Sequence, residues 1–582
     1  MTPGLDARNT NALWCSVLAE TMVRCGLRDA VISPGSRSTP LTLALVRHPG
    51  VACTPVLDER SAAFFALGLA KRTHRPVALV CTSGSAGANY LPAVIEAHES
   101  GTPLLVITAD RPPEMRDCAS GQTIDQQKLF GGFVAFFHEF AVPEAGLDRL
   151  RYARQTMVHA MARATVPHGA PVHLNMPFRD PLAPLEDATA REVAGAIDES
   201  FFSHLEPEQG RAPGGRLWQR PTTTRGLIVA GPASPADPAG YAAHVRAFAD
   251  ATGWPILADA LSPLRHYGSG TAPVVAHYDA ILRQERAARH LMPRQVLCLE
   301  NWPTSKVLRG WLEQSGVEVT LVGESTANRD SLHGRTRHVH WGVEALGAEG
   351  RPAPDASYRE AWARAEEAAL GVIGPVLAGK PADGGCFEPS VAWALAQALP
   401  DGAVLHVASS MPVRDVEYFW PVTARRHRFF FNRGANGIDG TLSTALGVAH
   451  GGDPTVLLIG DLAFLHDSNG LLLASKLRGS LTVVVVNNHG GGIFEHLPVA
   501  QFDPPFEEFF ATPQSVDLAA LCAAHGVPHE RVPDAARLGA LIAAPPRAGV
   551  RVLEVTTDRK RDAAGRKRLL AQAADAASRA LS

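Results

Sequence analysis

The sequence predicts an α/β protein of three domains, each a parallel sheet flanked by helices. Short apolar runs of strand type alternate with helical patterns through the first third and, more strongly, through the last third. Such alternation buries a parallel sheet between layers of helix. Two passages rich in Pro and Gly interrupt the alternation, and 582 residues suit three or four domains of roughly 150 residues each.

In order, residues 30–33, 51–57, 77–81 and 104–108 read as buried strands, and 171–175 as the last strand of that sheet. Stretches 61–71 and 88–99 carry helical spacing. From 181 to 224 the composition shifts to Pro, Gly, Glu and Arg, which reads as a linker with little regular structure. Strands follow near 226–230, 295–300 and 317–323. A second Pro/Gly/Ala-rich passage, 350–385, precedes strands at 404–408, 455–459, 481–487 and 551–556. The expected boundaries are a first domain 1–185, a linker 186–224, a central domain 225–350, a linker 351–385 and a last domain 386–582.

Hydrophobic residues make up 46% and charged residues 19%, an ordinary soluble mix. A formal charge of −3 creates no global field that would draw nucleic acid or an anionic membrane surface. The eight cysteines include no C-x-x-C pair, so packed, reduced thiols are expected rather than disulfide or metal sites. Residues 1–14 lack the basic and apolar regions of a signal peptide, and no apolar run approaches the ~20 residues of a membrane helix. A cytoplasmic protein without membrane insertion is expected.

The strongest chemical signal is Gly460-Asp461-Leu462 followed by Asn487-Asn488, each just after a predicted strand. Open α/β sheets bind ligands at such strand ends. An Asp carboxylate and an Asn carbonyl are hard oxygen donors suited to Mg²⁺, which completes its octahedron with phosphate oxygens, backbone carbonyls and water. Gly490-Gly491-Gly492 would permit close backbone approach to a bulky diphosphate. A helix at 468–477 would direct its first amides at the same anion.

This pairing resembles the signature of thiamine-diphosphate-dependent enzymes. The stretches SPGSRSTPL, DERSAAFFALGLAK, TADRPPE, GQTIDQ, PTSK, NRGANGIDG, GDLAFLHDSNGL and NNHGGGIF are similar to the synthase family of menaquinone biosynthesis that joins 2-oxoglutarate to isochorismate. They run through nearly the whole chain, thinly in its middle. The resemblance implies a pyrimidine-binding first domain, a diphosphate-binding last domain, and a homodimer or tetramer with active sites at the subunit interface. It implies thiamine diphosphate with Mg²⁺, or Mn²⁺, as cofactors, the metal held by Asp461, Asn488 and Gly490. Glu59 is the implied catalytic acid, hydrogen-bonded to the cofactor's pyrimidine ring. Ser409, Gly460, Leu462 and Gly491 are implied to contact the cofactor. Ile438 is the implied wedge between its rings, with Ile493 and Phe494 covering the thiazolium side. Substrate carboxylates in a partly dry cleft need Arg or Lys partners, and the family motifs point to Ser36, Arg37, Arg111, Gln122, Lys306, Ser410, Arg414 and Arg433. On a helix Ser410 and Arg414 would share a face.

Two positions depart from the family pattern. Residue 489 is His where Asp or Asn is expected, and 298–302 lacks the glycine associated with the segment before PTSK. Two other functions compete: an acetolactate-synthase-like or simple 2-oxo acid decarboxylase, and a non-catalytic regulatory relative. The modest central region without a nucleotide fingerprint argues against the first. The presence of Glu59, Asp461 and Asn488 together argues against the second.

Overall fold

The computed structural model describes residues 5–203, 205, 221–268, 270–325, 327–333, 336–348, 353–380 and 385–582. It holds three six-stranded sheets. Every pairing in them is parallel. The first contains β1 (Asp29–Ile32), β2 (Ala52–Pro55), β3 (Val77–Cys81), β4 (Leu104–Asp110), β5 (Phe136–Glu139) and β6 (Pro171–Pro177), in the order β2-β1-β3-β4-β6-β5. The second contains β7 (Gly226–Ala230), β8 (Ile256–Ala258), β9 (Val274–Val275), β10 (Gln295–Leu299), β11 (Glu318–Val322) and β12 (Thr336–Val339), in the order β12-β11-β10-β7-β8-β9. The third contains β13 (Val404–Val407), β14 (Arg428–Phe431), β15 (Thr455–Gly460), β16 (Ser480–Asn487), β17 (His529–Arg531) and β18 (Gly549–Thr556), in the order β14-β13-β15-β16-β18-β17. The first and third sheets therefore share one winding order, as their similar sequence patterns suggest.

All twelve strands expected from the sequence are present within a few residues. The six that sequence misses are β5, β8, β9, β12, β14 and β17. Five of these lie at a sheet edge, and β8 is a three-residue strand next to one. An edge strand is covered on fewer sides, so β5, β12 and β17 mix in polar residues, β9 has only two residues, and the apolar run of β14 spans only residues 429–431.

Contacts divide the chain into two compact units. One comprises Met1–Gly210, Asn432–Gly451 and Asp467–Arg478; the other comprises Arg211–Phe431, Gly452–His466 and Gly479–Ser582. In the first unit, helix Glu59–Thr73 packs against helix Thr441–Ala449. Gly68 and Gly447 make the crossing close: a methyl on Gly68 would strike the Thr444 carbonyl, and one on Gly447 the Phe65 carbonyl. The expected linker 186–224 is partly structured there. Helix Arg191–Gly195 and a 3₁₀ turn at Glu199–Phe202 bring Ile197, Phe201, Phe202 and Leu205 into the core; residues 204 and 206–220 lie outside the described part.

In the second unit, much of the expected linker 351–385 is instead the 23-residue helix Ala356–Ala378. Asp355 caps it by accepting from the Tyr358 N–H, and Tyr358, Trp362, Ala365, Ala369, Ile373 and Leu377 form its buried face. Gly371, Gly374 and Pro375 read as breakers in sequence, yet the apolar spacing outweighs them. Residues 351–352 and 381–384 lie outside the described part. The expected helix at 468–477 is a 3₁₀ segment, Ser468–Lys476. It belongs to the first unit. Among the described residues no helix is long and apolar enough to cross a membrane, and all eight cysteines are free.

Candidate active site

In the second unit the strand order reverses between β13 and β15, the position at which doubly wound sheets open a crevice. Three neighbouring strands deliver their carboxyl ends there. Ser409 and Ser410 follow β13, Gly460 and Asp461 end β15, and Asn488 follows β16. Asp461 is buried and accepts from the N–H of Leu462 at 2.9 Å and of Gly490 at 2.8 Å. Burial pushes its carboxyl up to about 6, against the pull of those backbone donors. Asn488 is also buried, and its Oδ1 finds no hydrogen-bond partner among the described residues. A methyl on Gly460 would meet nothing within 4 Å, so the space above that residue is open.

A desolvated carboxylate, joined through the Gly490 loop to an orphaned amide oxygen, is a donor set that a hard cation satisfies. The chain's own packing also requires the Gly490–Gly492 run. Side chains there would collide with the Ala511 carbonyl, with Phe494 and the Phe510 carbonyl, and with the Asn488 amide. His489 is exposed with φ 60°, a left-handed conformation that Asn, Asp and His tolerate best; the Arg559 guanidinium donates to its carbonyl at 2.9 Å. Ile493 and Phe494 are half-buried on the 3₁₀ turn Gly492–His496, with Phe494 5.8 Å from Phe510 between ring centroids.

Ser410 has φ 72° at the N-cap position of helix Met411–Phe419, where its side chain makes no capping hydrogen bond; this is a strained backbone of the kind found at functional sites. Arg414 lies one turn on and donates from Nη1 to the Ser410 carbonyl at 2.6 Å. Lys306 is exposed at the first turn of helix Lys306–Ser315, which follows β10 of the central sheet. In the segment before it, Glu300 adopts φ 62°.

The first unit repeats the arrangement at its own switch point, between β1 and β3. Gly35 of the β1 loop abuts Thr82 so closely that a methyl would overlap it. Ser83 gathers two predicted residues through three hydrogen bonds. Arg111 donates to its Oγ at 2.9 Å, Gln122 donates from Nε2 to its carbonyl at 3.0 Å, and its Oγ donates to the Gln122 carbonyl at 3.0 Å. Arg37 is buried, donates to the Phe178 carbonyl at 2.9 Å, and feels the Arg111 charge. Desolvation first and Arg111 second lower its pKa. Two crowded guanidiniums favour an anion beside them. Ser36 is exposed on the loop before Arg37.

Glu59, half-buried, opens helix Glu59–Thr73; Asp58 caps that helix by accepting from Ser61 and also accepts from Asn469 at 2.7 Å. Ile438 and Arg433, both half-buried, lie in a stretch anchored by Lys71 and Glu96. Lys71 donates to Asn432 and to Glu96, each at 3.0 Å, and Glu96 accepts from the N–H of Gly434 and Ala435 at 3.1 and 2.7 Å. Sequence reading passes over Thr82, Ser83, Lys71 and Glu96. Thr82-Ser83-Gly84 directly follows an apolar strand and offers the same positional signal as Gly460-Asp461.

Three family models match in order: the thiamine pyrophosphate enzyme N-terminal TPP-binding domain over residues 15–129, the middle domain over 198–407, and the C-terminal TPP-binding domain over 413–555. A solved structure from Mycobacterium smegmatis, described as a thiamin diphosphate-dependent enzyme, shares the fold. It has a TM-score of 0.64 at 18% identity and covers 95% of this chain and 100% of its own. Fold and family models thus define a thiamine-diphosphate-type enzyme. The 2-succinyl-5-enolpyruvyl-6-hydroxy-3-cyclohexene-1-carboxylate synthase of Synechococcus sp. (strain JA-3-3Ab) is 50% identical across 97% of this chain and 96% of its own. The synthase of the same name from Trichodesmium erythraeum (strain IMS101) is 45% identical across 96% and 97%. The chain belongs to this synthase family.

Proposed function

We propose that the chain decarboxylates 2-oxoglutarate and adds the remaining four-carbon unit to isochorismate. The products are 2-succinyl-5-enolpyruvyl-6-hydroxy-3-cyclohexene-1-carboxylate and CO₂, as the relatives' name indicates. Bound thiamine diphosphate supplies the electron sink for loss of CO₂. Asp461, the Asn488 Oδ1 and the Gly490 carbonyl hold Mg²⁺ or Mn²⁺, and Ser409, Gly460, Leu462 and Gly491 line the diphosphate position. Glu59 holds a proton against the cofactor's pyrimidine nitrogen. Ile438 would pack against the cofactor, and Ile493 and Phe494 would exclude water. Ser36, Arg37, Arg111, Gln122, Lys306, Ser410, Arg414 and Arg433 bind the substrate carboxylates.

The pyrimidine side belongs to 1–185, the central domain to 225–350 and the diphosphate side to 386–582. Each site is completed by a partner subunit in a cytoplasmic homodimer or tetramer, and a one-subunit mass in solution would contradict that assembly. The observation that carries the reading is the unpartnered, buried Asn488 Oδ1 beside the Asp461 loop at a switch point. An assay with both substrates, thiamine diphosphate and Mg²⁺ tests it. CO₂ release from 2-oxoglutarate coupled to isochorismate loss is expected, and turnover of pyruvate in its place would sink the proposal.

A further inference from the structure

Which end of the Asn488 amide faces the cation position is settled from behind. Asn488 Nδ2 donates to Glu388 Oε1 at 3.3 Å, and Oδ1 is the atom left unpartnered among the described residues. Glu388 is buried at the start of helix Glu388–Ala398 and is held in two ways. Its N–H donates to Asp562 Oδ2 at 3.0 Å, and its Oε2 pairs with Arg566 at 3.3 Å. Arg566, buried on helix Arg559–Ala580, also grips Asp415 through Nε and Nη2 at 2.7 and 2.8 Å. Both Glu388 oxygens therefore accept, one from the amide and one from the guanidinium. A carboxylate in that state can bond only the –NH₂ end of an amide.

We infer that Glu388, fixed by Arg566, is a positioning residue that turns the Asn488 amide oxygen toward the cation. The inference rests on the cation reading of Asp461 and Asn488. Partners behind a metal ligand commonly set its orientation and affinity.

Titration calorimetry of Mg²⁺ at saturating thiamine diphosphate, without substrate, tests this. Glu388→Gln keeps the shape, and its carbonyl can accept from Arg566. Its –NH₂ then meets Asn488 and draws the amide oxygen away from the cation, so Mg²⁺ affinity falls at least about tenfold. Glu388→Ala merely releases the amide and loses less; a purely structural role predicts the reverse order. Adding Asn488→Asp to Glu388→Gln restores affinity, because a carboxylate offers oxygen at either end. The gain exceeds that from Asn488→Asp in the otherwise unaltered protein. Unchanged affinity in Glu388→Gln, or no recovery in the double variant, would overturn the inference. Failure of the wild-type protein to take up Mg²⁺ would overturn the cation reading as well, which separates the two.

Discussion

Arg37 follows the carboxyl end of β1 and Arg111 that of β4 in the first unit, and each already spends donors on the protein: Arg37 on the Phe178 carbonyl, Arg111 on Ser83 and on the Gly121 carbonyl. A guanidinium has five N–H groups, so both retain capacity for a carboxylate. Removing a charge-assisted hydrogen bond costs about 1.5–3 kcal/mol, which corresponds to roughly 10–100-fold in binding. Arg111→Ala is therefore expected to raise the KM of a carboxylate substrate by that factor while the protein keeps its fold. Steady-state kinetics with each substrate varied would check it, and unchanged KM values for both would remove Arg111 from the substrate set. Asp461 and Asn488 are legible in the sequence because each directly follows a long apolar strand. Ser83 occupies an equivalent position, but Thr-Ser-Gly is ordinary turn composition. Glu388 and Arg566 carry no local signal, because their meaning lies in a contact between distant segments.

Central strands announce themselves through burial on both faces, and short edge strands do not; that difference explains β5, β9, β12 and β17, while in β14 the apolar run is only three residues long. Helix Ala356–Ala378 fails differently, because breaker residues mask a sound apolar periodicity. Helices Glu59–Thr73 and Thr441–Ala449 meet backbone to backbone through Gly68 and Gly447. Neither carbonyl can retreat as a flexible side chain would. Gly68→Ala should destabilise the first unit by about 1–3 kcal/mol, the usual cost of overpacking, even though alanine favours a helix intrinsically. Denaturant unfolding would show a lower midpoint, and an unshifted midpoint would mean that the helices separate freely.

Across the whole molecule, one winding order occurs in both the first and the third sheet, and each places candidate residues where that order reverses. The central sheet reverses between β7 and β10, but the crevice there is taken by its own chain. Gly231 lies against the Asn301 carbonyl, and Asn301 Nδ2 donates to the Pro232 carbonyl at 2.9 Å. The three-sheet architecture was readable from alternation alone, whereas the domain limits were blurred by a structured linker and a long helix.

The central claim is that buried oxygens at the ends of β15 and β16 clamp a divalent cation to a diphosphate. Calorimetric titration of thiamine diphosphate into metal-stripped protein, with and without Mg²⁺, addresses it most directly when run beside Asp461→Ala. Saturable uptake that requires Mg²⁺ and is lost in the variant is the predicted result. Equal uptake without the metal, or an unaffected variant, would contradict it.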